Sequence, residues 1–222
     1  MLTTELRRVH PDEAKAAALQ GDVFFHTGRL AKAADAYRAT IELDDTVYSV
    51  WEQLLATLYL DNQTIKLRKY AEEALDVFPN RPVVYVHYAL GEALRSNFSE
   101  ANSLLEQAQL MTSGQPKGKA AIEQLSLALS GLEAGGATVK ADLAQLPGGK
   151  EGPLAFLITN GSNASSLIAY DTEENTNALF LEMLGDAYAK SGDKAAAAKA
   201  YARSKATGSK STNLRGKMTR VQ

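Results

Sequence analysis

Apolar residues return at intervals of three and four along most of the chain, the spacing that keeps one face of an α-helix apolar. In "QGDVFFHTGRLAKAADAY", residues 20–37, two such runs are split by Gly28, which predicts two helices joined by a tight turn. Nearly the same text returns as "LGDAYAKSGDKAAAAKAY", residues 184–201. The copies share Gly21 and Gly185, Asp22 and Asp186, Gly28 and Gly192, Ala33 and Ala197, and Tyr37 and Tyr201.

The pattern has a period of 34 residues. A first unit starting at Ala14 has Gly21 at its eighth place, Phe24 at the eleventh, Ala33 at the twentieth and Tyr37 at the twenty-fourth. A second, from Tyr48, has Trp51 fourth, Leu54 seventh and Leu58 eleventh, with Pro79 ending its second helix. A third, from Pro82, has Tyr85, Tyr88, Ala89, Ala101 and Ala108 in register, and a last, from Ala178, has Leu181, Leu184, Gly185, Tyr188, Ala197 and Tyr201. Small residues at places eight and twenty let two helix backbones approach, and large ones at four, seven, eleven and twenty-four fill the space around them. One pair alone leaves an apolar face wet, so the units are expected to stack.

These residues at these places resemble the tetratricopeptide repeat, whose unit is two antiparallel helices and whose arrays bind other proteins. The phrases "VWEQLL" and "EEALDVFPNRPVVYV" resemble the repeat arrays of Bacteroidetes envelope-associated proteins. The resemblance implies an all-α, right-handed α-solenoid of about five helix pairs. Three regular units are expected over 14–113, two degenerate ones over 116–177 with a long irregular insertion as the alternative there, a regular one over 178–209, and a capping helix or tail over 210–222. Within the degenerate stretch, "KAAIEQLSLALSGLEA" and "TVKADLAQL" read as helices turned at Gly135 and Gly136, and "LAFLITNG" and "NASSLIAY" as shortened ones. The loop Pro147–Pro153 is expected to be the weak point of the array, open to proteolysis and fast amide exchange.

In the family, places two, five, nine, twelve and thirteen of each first helix face a groove. The resemblance therefore implies a partner-binding groove that includes Asp22 and Phe25 of unit one, Glu52, Ala56 and Tyr59 of unit two, Val86 and Leu90 of unit three, and Glu182 and Asp186 of the last. Such a groove is apolar in the middle with acids at each end, suited to an extended or helical peptide with aliphatic anchors and some basic residues. Members that grip a C-terminal carboxylate use lysine at place five and asparagine at place nine; Ala18 and Asp22 stand there in unit one, which argues against that ligand. The chain's own degenerate units, or a second copy, could also cover this stripe.

Composition narrows the function. Net charge is −2 and the isoelectric point near 6.0, so nothing favours nucleic acid as a partner. The chain has no cysteine and no apolar run long enough to span a bilayer, so neither a disulfide, a thiolate metal site nor direct membrane insertion is expected. Export would need a signal upstream of Met1: a cytoplasmic location is expected without one, a periplasmic or envelope-associated location with one. His10, His26 and His87 are far apart and are read as facing solvent or groove; neither "GGK" at 148–150 nor "GSKST" at 208–212 completes a phosphate loop. The basic run Lys205, Lys210, Arg215, Lys217 and Arg220 reads as a solvated helix end. No catalytic constellation, metal or cofactor is expected. The reading is a non-catalytic scaffold for a protein or peptide partner; the alternatives are a self-associating structural subunit, hence a homo-oligomer, or an interaction module of a larger protein or secretion machine.

Overall fold

The structure is a computed structural model in which residues 9, 13–112, 114–134, 139–161 and 163–221 are described. Among them are twelve α-helices, two short 3-10 turns and no strand. Helices α1 (Ala14–His26) and α2 (Leu30–Leu43), α3 (Tyr48–Leu60) and α4 (Thr64–Val77), and α5 (Pro82–Ala93) and α6 (Phe98–Met111) form three successive pairs. After α7 (Pro116–Glu133) come the short α8 (Pro153–Asn160) and α9 (Ala164–Ala169), then the pair α10 (Ala178–Ser191) and α11 (Lys194–Ala206), and finally α12 (Leu214–Val221). Each helix of the first three pairs packs on its sequence neighbour, α2 on α3 and α4 on α5 as well as within pairs, so the pairs stack.

The repeated text acquires a physical meaning in these pairs. A Cβ added at Gly21 would stand 2.5 Å from the ring of Tyr37, and one at Gly185 would collide with Tyr201 in the same way. Each glycine is thus the slot for the tyrosine sixteen places on, and each tyrosine hydroxyl passes over it to donate to the next residue. Tyr37 donates to Asp22 Oδ1 at 2.8 Å and Tyr201 to Asp186 Oδ1 at 2.8 Å. Units two and three fill the same two places differently, with Leu55 and Ala71, then Ala89 and Leu105, all buried. One large and one small residue occur each time, so volume is conserved while its owner changes.

The turns repeat as well. Gly28, Asn62, Ser96 and Gly192, each at place fifteen, have positive φ of 72°, 56°, 59° and 87°. In all four the residue donates to a carbonyl three back and its successor to one five back, as in Gly28 N to Phe25 O (3.0 Å) and Arg29 N to Phe24 O (2.9 Å). This satisfies carbonyls that the ending helix would leave unpaired. Glycine takes the left-handed conformation without strain, whereas Asn62 and especially Ser96 do so at a cost.

The stretch 116–177 departs from two degenerate pairs. The expected helix over 138–146 does not form: residues 139–142 are irregular and only a 3-10 turn, Leu143–Gln145, follows. Asp142 caps that turn through Ala144 N (3.1 Å), its own N–H donates to Gln124 Oε1 (2.8 Å), and Pro147 with Gly148 forbids continuation. The turn expected at Gly135 and Gly136 lies outside the described residues. The helices expected in "LAFLITNG" and "NASSLIAY" form as α8 and α9. In the loop Pro147–Pro153, Gly148 abuts Leu60 and Gly152 is buried, while Lys150 and Glu151 are exposed.

A single main core runs from Ala33 through Trp51, Leu90 and Leu129 to Leu154, Leu167 and Leu184. A satellite cluster of Ala197, Tyr201, Leu214 and Val221 holds α12. At the α4–α5 contact, Gly91 lets the backbone of Arg68 come within 3.3 Å of where a Cβ would lie. Beside it buried Glu92 accepts from Arg68 Nε (2.7 Å), Arg95 Nη1 (3.0 Å) and Asn97 Nδ2 (2.6 Å), so its charge is fully paired.

Candidate partner-binding cleft

The groove-face residues divide into three groups. Tyr59 and Leu90, at 1% and 0% exposure, are buried, which corrects the expectation that they face a partner. For Tyr59 the cause is the chain itself, since its Oη accepts from Leu154 N at 3.2 Å; Leu90 is a member of the main core. Burial pushes the Tyr59 hydroxyl well above the usual tyrosine range, only partly offset by the bond from Leu154. Glu52, Ala56 and Val86 remain half-buried on the same helices. His87 is buried too, not facing solvent or groove; its Nδ1 lies 2.9 Å from Val83 O, and burial pulls its pKa below the ordinary histidine value.

At the opposite end of the array, Asp22 and Phe25 are half-buried on α1; Asp22 is engaged by Tyr37, and the Phe25 ring meets His26 edge-on.

Glu182 and Asp186 lie on α10, where the fold brings the last pair against the turns of units two and three. Asn177 caps α10 by accepting from Phe180 N (3.0 Å), and its Nδ2 donates to Asn62 Oδ1 (3.0 Å). Leu179 N donates to Leu94 O at the end of α5 (2.9 Å), and Ser96 Oγ donates to Glu182 Oε2 (3.3 Å). The two strained turn residues thus both bond through their side chains to the final pair and its cap.

A cleft of about 470 Å³ opens between the α5–α6 turn, the end of α7, the α8–α9 junction, α10 and the segment after α11. Its aliphatic wall includes Leu132, Met183 and Ala187; Glu182 and Asp186 form the polar side, and Lys190 and Lys210 stand exposed on the rim. Of the nine groove residues, these two acids are the ones in this cleft.

Lys217 of α12 reaches both acids, with Nζ 2.9 Å from Glu182 Oε1 and 2.6 Å from Asp186 Oδ2. Ser211 Oγ adds a 2.8 Å bond to Glu182, and Lys210 N donates to Arg95 O at 2.8 Å. Burial works to lower the Lys217 pKa, but its bonds to Asp186 and Glu182 outweigh that and raise it. This corrects the reading of the basic run as a solvated helix end: Lys217 is a half-buried member of the site. Sequence reasoning missed Ser96, Ser211 and Lys217 because none repeats with the period. The one signal available was the serine at place fifteen, where units one and four have glycine.

The structure is an all-α array of adjacent helix pairs, the architecture of a protein-interaction scaffold. The tetratricopeptide repeat family profile matches residues 2–47, and the later helix pairs repeat that pair's turn geometry. No curated protein matches it. Among solved structures it is similar to a chain of the APC/C hetero-tetramer Cut9–Hcn1, at 15% identity and TM-score 0.49, over 99% of this chain and 38% of that one. It thus spans under two fifths of that chain. It is also similar to a tetratricopeptide repeat protein from Parabacteroides merdae, at 12% identity and TM-score 0.44, over 99% of this chain and 89% of that one. Among the described residues no helix is long and apolar enough to cross a membrane, and no group of three or more His, Cys, Asp or Glu could hold a metal ion.

Proposed function

We propose that the protein is a non-catalytic scaffold that takes a helical or extended segment of a protein partner in the cleft between its third and final helix pairs. The observation that carries this reading is that Leu146, Leu154, Leu157 and Leu167 join the core on the middle of the groove face, while a cleft of about 470 Å³ remains between α10, with Glu182, Asp186 and Lys190, and the C-terminal segment. Its aliphatic wall supplies anchor contacts, and its acids suit a segment bearing a basic residue. A photo-crosslinking amino acid at Lys190 in the native cell tests it: one partner should be labelled there and not from exposed Leu127 of α7. Labelling from Leu127 with none from residue 190 would overturn the assignment. A second reading, self-association, is favoured by Leu19 and Val23, one turn apart on α1 and 49% and 40% exposed; light scattering of the intact chain checks it.

A further inference from the structure

The C-terminal segment borders the cleft, with Lys217 in its lining and its aliphatic side chains packed beside it on α11. Lys217 presents an ammonium to Glu182 and Asp186 at 2.9 and 2.6 Å, while Leu214 and Val221, three residues before and four after it, are buried at 5% and 9% exposure. These spacings put all three on one helix face. We propose that residues 209–221 are an exchangeable internal ligand, and that the surface they cover recognises a partner helix with a lysine set between two aliphatic anchors at this spacing. The proposal rests on the cleft reading above and gives the partner its chemistry.

Three observations make the segment exchangeable. First, its two buried aliphatics belong to the satellite cluster with Ala197 and Tyr201, which has no buried residue in common with the main core and meets it at half-buried Tyr188, so α12 can leave without opening that core. Second, when the segment leaves it takes Ser211 with Lys217, but each carboxylate keeps one hydroxyl donor: Tyr201 for Asp186 and Ser96 for Glu182. The acid pair would keep its shape but lack a cation, which an incoming lysine supplies. Third, residues 207–213 between α11 and α12 form no helix, and one backbone bond, Lys210 N to Arg95 O, ties them to the third pair, so departure of the segment breaks no helix. A segment bound in cis lowers the apparent affinity for a competitor by the fraction of time the site is empty. Binding would therefore be restrained until a partner with a better-matched helix arrives.

The test uses the full chain with Lys217→Glu, and Lys217→Met as the variant that adds no repulsion. Hydrogen exchange over 212–221 should quicken in both while the rest of the chain keeps its protection. A labelled synthetic peptide of residues 209–221, followed by fluorescence anisotropy, should bind either variant at least about tenfold more tightly than wild type, as expected when the cis segment occupies the site nine-tenths of the time or more. The same peptide carrying the Lys217→Glu change should lose that binding. Unchanged protection of 212–221 in both variants, or a freed segment with no peptide binding, would overturn the proposal. Wild-type dimers that exchange this segment would assign the surface to a second copy and overturn the partner helix. Partner labelling from residue 190 with failed peptide exchange would leave the cleft reading intact; peptide exchange without that labelling would strike the cleft reading alone.

Discussion

Gly21→Ala sets helix propensity against packing, and the two predict opposite signs. In an exposed helix interior alanine is more stable than glycine by about 1 kcal/mol. At residue 21 the added methyl would sit 2.5 Å from the Tyr37 ring, which is 1% exposed and tethered through its hydroxyl to Asp22. The ring cannot retreat without opening the α1–α2 contact, so the overpacking cost belongs near the top of the usual range of about 1–3 kcal/mol. The net expectation is a loss of about 2 kcal/mol, or roughly 4–8 °C in melting temperature for a chain of this size. Thermal melts by circular dichroism, with fluorescence of Trp51, the lone tryptophan, as a second probe in the adjoining unit, measure it. Adding Tyr37→Leu recreates the small-and-large pair that Ala89 and Leu105 form in unit three, so the double variant should recover about 1 kcal/mol relative to the sum of the singles. A Gly21→Ala protein that melts at or above wild type would show that the slot is not tight and that the glycine–tyrosine repeat has another cause.

Trp51→Ala should cost about 3–5 kcal/mol in chemical denaturation, because the side chain is 3% exposed and its indole N–H donates to Asp45 O at 2.8 Å. His87 has its pKa lowered by burial, so the folded state binds fewer protons than the unfolded one. Stability should therefore be full above the unfolded value of 6.5 and fall as pH drops below it, by up to about 1.4 kcal/mol per pH unit until the folded pKa is reached; His87→Phe should flatten that window in pH-dependent melts. Replacing Asn62 and Ser96 together by glycine relieves two left-handed residues but removes their side-chain bonds to Asn177 and Glu182, leaving the backbone bond from Leu179 to Leu94. Overall stability should change by no more than about 1 kcal/mol, while amide exchange across α10 quickens; unchanged exchange would show that these side chains do not hold it.

The helix pairs were legible because each depends on contacts that recur at fixed places. The units counted from Ala14, Tyr48, Pro82 and Ala178 begin where α1, α3, α5 and α10 begin. Glycine at place fifteen announced the turn in units one and four, and the same turn forms in units two and three, where the residue is Asn62 or Ser96. The candidate site was half legible: Glu182 and Asp186 follow from the register, but their partner Lys217 lies 31 residues beyond Asp186, outside any repeat. Tyr59 and Leu90 have the right places for a groove, yet place in a helix does not reveal that Leu154 arrives 95 residues after Tyr59 to cover it. The missing helix over 138–146 has a local cause: Asp142 accepts from the Ala144 backbone and the Gln145 side chain in a turn that competes with a helix, and Pro147 blocks extension. Buried His87 was misread because one helix of an array is covered on more sides than its own amphipathic stripe shows.

The cost of the strained turns is intelligible once the array is seen to fold back. In units one and four the place-fifteen residue carries no bond to another unit, and glycine, which needs no side chain there, is present. In units two and three a side chain is needed at that point, since Asn62 meets Asn177 at the cap of α10 and Ser96 meets Glu182 one turn further on. Asparagine tolerates the left-handed conformation better than serine, so Ser96 bears the larger strain. The serine hydroxyl is also the smaller group, and it reaches a carboxylate that Lys217 and Ser211 approach from the other side. Strain at Ser96 and charge at Lys217 thus converge on one residue, Glu182, and whatever enters the cleft must preserve or replace both contacts.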